Sequence, residues 1–178
     1  MRRMNLLIVL AACLGCRSIT GSDTAGTTYK SDFSAQFVES SVYQGNVRLV
    51  CNVTYNLTGT VTVVIRQPGG SGVIGEGRVN AVQNWIAVTG EGCTGGPNRS
   101  TSGEWTSDLA GPTTQLGFTV QRAGGTSFVV TTTYAFSGAL SGNNVTGTLV
   151  LTQTGRGITG GTVTSTSDAS ASIGVTLR

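Results

Sequence analysis

The stretch Cys51–Arg66 reads CNVTYNLTGTVTVVIR, and its parity decides the fold. Counting from Val47, the odd positions are Val47, Leu49, Cys51, Val53, Tyr55, Leu57, Gly59, Val61, Val63 and Ile65. The even positions include Arg48, Asn52, Thr54, Asn56, Thr58, Thr60, Thr62 and Arg66. Side chains alternate across a strand, so one face is apolar and the other carries threonine and asparagine. A helical period would mix the two classes on every face. β-Branched residues suit a pleated, half-buried surface. The run exceeds an ordinary strand of about 5–6 residues. Gly59 in its middle predicts a bend, bulge or hairpin corner, giving two strands or one sharply bent strand.

Outward from this stretch the same alternation recurs. It begins near Asp32, with Phe33, Ala35 and Phe37 in phase. Gln67-Pro-Gly-Gly-Ser-Gly72 is a turn signal. Strands are expected over Val73–Val82, Trp85–Val88, Gly103–Ser107, Thr114–Gln121, Ser127–Gly138, Val145–Thr154 and Ala171–Arg178, with turns at Ala123–Gly125, Ser141–Asn144 and Gly155–Gly161. The count is about 9–10 strands and no helix, which predicts an all-β antiparallel meander. It would close as a small β-barrel, lipocalin-like in architecture, or fold as a β-sandwich. Leu57–Val61, Phe136–Leu140 and Val145–Leu149 each place a glycine between apolar residues, a device that relieves crowding where a curved sheet bends.

Composition narrows the class. The chain of 178 residues has 27 glycines, no histidine, 38% apolar and only 11% charged residues, and its mean hydropathy is +0.12. Disorder goes with high net charge and few apolar residues, which this chain lacks. Arg2 and Arg3 lie in a segment expected to be removed; without these two charges the net falls from +3 to +1. The remaining cations are dispersed, so nucleic acid is not an expected partner.

The N-terminus carries the most specific signal. Met1–Asn5 is positively charged, Leu6–Ala12 is apolar, and small residues and cysteines follow. This is the layout of a secretory signal, and its apolar run falls far short of the roughly 20 residues that span a bilayer. Leu10-Ala11-Ala12-Cys13, and in weaker form Leu14-Gly15-Cys16, resemble the lipobox that ends the signal peptide of bacterial lipoproteins. The resemblance covers the first 16 residues and implies that Cys16 or Cys13 carries acyl chains such as palmitate. Each buried methylene contributes about 0.8 kcal/mol, so several chains anchor a protein without a transmembrane helix. Neither Leu14 nor Arg17 is aspartate, which by the same resemblance implies an outer-membrane location, facing periplasm or cell surface. The expected organisation is a signal peptide and lipidation site over 1–16, a flexible tether over 17–31 and one β-domain over 32–178.

Lipidation at Cys16 leaves an even pair, Cys51 and Cys93, and in an exported protein a disulfide is the default for it. Without histidine there is no Ser–His or Cys–His nucleophile, no histidine metal ligand and no expected cofactor. The acids Glu39, Glu76, Glu91, Glu104 and Asp108 show no spacing that selects a pair, so all are expected on the surface. Gly103-Glu104-Trp105 resembles the G-x-W of lipocalins but lies far from the first strand, so Trp105 is expected in the core. The sequence therefore predicts a non-enzymatic envelope lipoprotein. One version carries a small hydrophobic ligand lined by Tyr55, Trp85, Phe118, Phe128, Tyr134 and Phe136. The other is a structural or adhesive module with a fully packed interior. They differ in whether the interior holds a cavity.

Overall fold

The computed structural model describes residues 26–44, 48–93, 100–126, 128–159 and 162–178. The two cysteines of the lipobox reading, Cys13 and Cys16, lie outside the described residues.

Among the described residues, eight strands follow one another round a closed barrel, each antiparallel to the next. They are β1 (Thr27–Gln44), β2 (Arg48–Ile65), β3 (Val73–Thr89), β4 (Ser100–Ala110), β5 (Leu116–Gly124), β6 (Phe128–Ser141), β7 (Asn144–Thr159) and β8 (Thr162–Leu177). β1 and β8 complete the ring. They pair at Ser40–Tyr43 with Ser165–Asp168, and at the other end Lys30 and Arg178 exchange backbone hydrogen bonds of 3.0 and 3.1 Å. The closed ring of strands decides for the barrel over the sandwich.

The count of eight is lower than the sequence suggested because several residues expected to break strands lie inside them. β2 runs unbroken for 18 residues through Gly59. β3 joins the two segments expected on either side of Gln83 and Asn84. β7 carries on through Gly155 and Gly157. β1 starts at Thr27, inside the segment assigned to the tether, because Tyr29 continues the inward phase of Phe33 and pairs with Val63.

The recurrent glycines make room for rings. A Cβ at Gly59 would lie 2.8 Å from the Phe33 ring and would strike the backbone of β3. Gly138 and Gly147 pair with each other under the Phe136 ring. Gly77 lies under Phe118. An aromatic ring laid across an inward glycine restores the buried area that the missing side chain forfeits. These positions are therefore ring seats within continuous strands, not corners.

The inward faces carry the apolar phase and the outward faces the threonines and asparagines. Outer-membrane barrels have the reverse arrangement, with an apolar band facing lipid. The interior divides along its axis. Both described chain ends and the hairpins at 66–72, 111–115 and 142–143 lie at one end, here called the lower. In that half Leu57, Val61, Val63, Val79, Leu109, Val145, Leu149 and Leu177 are fully buried. Phe118 and Phe136 stack there with ring centres 5.4 Å apart.

Candidate ligand-binding site

Towards the upper end the same inward positions turn polar. Glu39 continues the phase of Phe33 and Phe37 on β1, and Gln83 follows Val79 and Ala81 on β3. Arg122 follows Phe118 and Val120 on β5, and Gln153 follows Leu149 and Leu151 on β7. Ser165 and Ser167 precede Ala169 on β8. Of these, Glu39, Gln83, Gln153, Ser165 and Ser167 are buried, and Arg122 is exposed.

Two sets of hydrogen bonds cross the barrel. The Tyr55 hydroxyl donates to Glu39 Oε2 at 2.6 Å, and the Gln153 amide donates to the same oxygen at 2.7 Å. Thr132 Oγ1 donates to Gln153 Oε1 at 3.3 Å. The Glu39–Gln153 bond passes over β8, whose small inward residues Ser167 and Ala169 leave the space. On the other side the Gln83 amide donates to the Tyr134 hydroxyl at 3.2 Å. Buried polar groups are tolerated where they are paired, and these cross-links pair Glu39, Gln83 and Gln153, while the buried Ser167 hydroxyl has no partner among the described residues. Burial, then the hydrogen bond to Glu39 and its charge, push the Tyr55 phenol well above its ordinary range. Burial also raises Tyr134, against the opposing effect of the bond from Gln83.

Above these cross-links lies a cavity of about 280 Å³, lined by Tyr55, Gln83, Trp85, Trp105, Val130, Thr132 and Gln153. Thr101, Arg122, Gly124 and Gly125 form its exposed mouth. The Trp85 ring meets Tyr55 edge-on at 5.6 Å, and Tyr55 in turn stacks on Phe37 at 4.9 Å. The Trp105 ring packs against Tyr134 at 5.2 Å and lies across Gly103, where a Cβ would come within 2.6 Å of it. The Gly-x-Trp spacing thus has a local purpose: it lets the indole lie flat along β4 as a cavity wall. The mouth is widened by a weak seam, since β4 and β5 share a single ladder pair, Ala110 with Gly117. Higher up, Arg122 Nη1 reaches across to the Ser102 carbonyl at 3.4 Å.

The disulfide Cys51–Cys93 joins β2 to the segment after β3 in this upper half, with Cα atoms 5.8 Å apart. Closing a loop of 42 residues is worth about 4 kcal/mol in the chain-entropy model.

Of the six residues expected to line a cavity, Tyr55 and Trp85 do so. Tyr134 lies beneath it, bonded to Gln83. Phe118 and Phe136 belong to the packed half, because their rings fill the glycine seats. Phe128 is spent in the same way against Gly155 and Gly157. Trp105, expected in the core, is half-buried and packs against it, and it also forms a cavity wall. Glu39, expected on the surface, is buried, because it occupies an inward position of β1. Glu76 and Glu104 are on the outer wall as expected, ion-paired to Arg78 at 2.9 and 3.1 Å.

The site and fold together define an up-and-down β-barrel, half solid and half hollow. No protein-family model, curated protein or solved structure matches the chain.

Proposed function

We propose that this protein is a lipid-anchored, non-enzymatic module of the bacterial cell envelope that binds one small molecule in the upper half of its barrel. The observation that carries this reading is the cavity of about 280 Å³ with indole walls and amide floor. An eight-stranded barrel is just wide enough to be filled by side chains or to hold one small ligand. Apolar walls with a few placed polar groups are the usual composition of a ligand pocket. The mixed lining favours an amphipathic ligand over the purely hydrophobic one expected from the sequence. The disulfide agrees with an oxidising, extracytoplasmic compartment.

The anchor reading rests on the lipobox resemblance at Cys13 and Cys16. β1 begins at the lower, solid end. An anchor before Gly26 would therefore attach at that end, opposite the mouth. Mass spectrometry of the mature protein is expected to find an acylated cysteine at its N-terminus. A mature form starting at another residue would refute the anchor.

Binding is tested with prodan, a neutral two-ring naphthalene probe whose fluorescence rises in apolar surroundings. Saturable enhancement is expected from the native barrel, and its loss in Val130→Trp, which fills the cavity from β6. Absence of saturable binding, or binding unchanged by Val130→Trp, would favour the structural module instead.

A further inference from the structure

The mouth of the cavity carries a positive charge where the strand pattern calls for an apolar residue. Leu116, Phe118 and Val120 point inward from β5 and are buried. The next residue in phase is Arg122, which lines the cavity and stays exposed. On the outer wall Arg66 and Arg78 are ion-paired to Glu76. Arg122 differs: its guanidinium donates to the Ser102 carbonyl at 3.4 Å, and no carboxylate among the described residues pairs with it. Four of its five N–H donors are thus uncommitted to described protein groups, in the planar fork that suits a carboxylate.

The acid of the site is placed differently. Glu39 does not line the cavity. It lies behind the floor, where one oxygen accepts from both Tyr55 and Gln153. A ligand entering the mouth meets Arg122 first, then the indoles of Trp85 and Trp105, then the amides of Gln83 and Gln153. An ammonium would be drawn to the indole faces but would have to pass the guanidinium.

We infer that the cavity takes a small planar aromatic anion, with its ring against Trp85 and Trp105 and its carboxylate on Arg122. This rests on the small-molecule reading above and names the class of ligand. The ring supplies the stacking area that two indoles offer. The charge supplies a bidentate hydrogen bond at a partly desolvated rim. The volume of about 280 Å³ limits the ligand to one or two rings.

The two tryptophans of the chain are Trp85 and Trp105, so intrinsic fluorescence reports on this cavity alone. The full chain is titrated with three probes of one skeleton: cinnamate, cinnamamide and cinnamylammonium. Quenching by cinnamate is expected at concentrations about tenfold lower than for cinnamamide, as a charge-assisted bond allows. The ammonium is expected to bind more weakly still. The preference for cinnamate should weaken with added salt. Arg122→Gln should bring cinnamate down to the affinity of the amide in the same variant, and Arg122→Lys should restore part of the gap. Equal affinities in the native chain, a preference for the ammonium, or a preference for cinnamate that survives Arg122→Gln would each overturn the assignment while leaving a small-molecule cavity in place. Failure of all three probes would overturn both.

Discussion

The two halves of this barrel are built on the same strands and in the same phase, yet they have opposite interiors. Below, the inward positions of β2, β4, β7 and β8 are Val61, Val63, Leu109, Leu149 and Leu177, all fully buried. Above, the inward positions are Glu39, Gln83, Arg122, Gln153 and Ser167, of which Gln83, Arg122 and Gln153 line open space. In the lower half phenylalanine rings fill the gaps over glycines. In the upper half two indoles wall a cavity instead. The lower half accounts for folding, and the upper half is free to be specific. This division matches the position of the first and last described residues at the solid end and of the mouth at the other.

The comparison can be broken in several ways. The largest effect is expected at the disulfide, which staples the half with the weaker core. Replacing both Cys51 and Cys93 with alanine should cost about 4 kcal/mol in chemical denaturation. A loss below about 1 kcal/mol would mean that the upper half holds itself together. Next comes a matched pair of truncations. Leu149→Ala, in the solid half, should cost about 2–5 kcal/mol. Val130→Ala, at the cavity wall, should cost less than about 1 kcal/mol, because it enlarges a space already open. Similar costs at the two positions would erase the distinction.

A smaller effect concerns the cross-barrel bonds. Tyr55→Phe leaves Glu39 short of one donor, at a cost of about 1–3 kcal/mol at neutral pH. The phenols of Tyr55 and Tyr134 are raised by burial relative to the unfolded chain. Their contribution to stability is therefore complete below a pH of about 10 and declines as pH rises further, when the unfolded state releases protons the folded state retains. Alkaline denaturation followed at the tyrosinate absorbance should show these two phenols ionising together with unfolding. Ionisation of all four tyrosines in the folded barrel would contradict the buried network. The smallest effect lies outside both halves. Hydrogen bonds from Arg78 and then Arg66 hold the Glu76 carboxyl below its ordinary range. The stabilisation is present above that range and lost as pH falls through it. Glu76→Gln should cost under about 1 kcal/mol and remove only that part of the acid sensitivity.

Much of the lower half was legible in the sequence. The alternation of Val53 to Ile65 and of Phe33 and Phe37 fixes which residues face inward, and the barrel buries them. The strand count was less legible, since a glycine such as Gly59 reads alike as a break or as a seat for a ring. Only the neighbouring Phe33 decides between them. The upper half was encoded as well, but in a form that residue types conceal. Glu39, Gln83, Arg122 and Gln153 look like surface residues until their phase is counted from the apolar residues before them. A polar residue on an inward phase, repeated on four strands, is the signal that a search for apolar cavity linings passes over. Trp85 was found by its type; Trp105 packs against the core as its type suggests, but its place in the cavity wall was hidden, because the indole's path over Gly103 shows only in the fold.

The central claim is that one half of the interior is open and the other solid, and acrylamide quenching tests it most directly. Three single-tryptophan chains are compared: Trp85 alone, Trp105 alone, and Phe118→Trp in a background where Trp85 and Trp105 are phenylalanine. Acrylamide is neutral and small enough to enter the mouth at Arg122 and Gly124. Efficient quenching of Trp85 and Trp105 and strong shielding of the indole at position 118 are the expected result. Equal shielding of all three would contradict a hollow upper half.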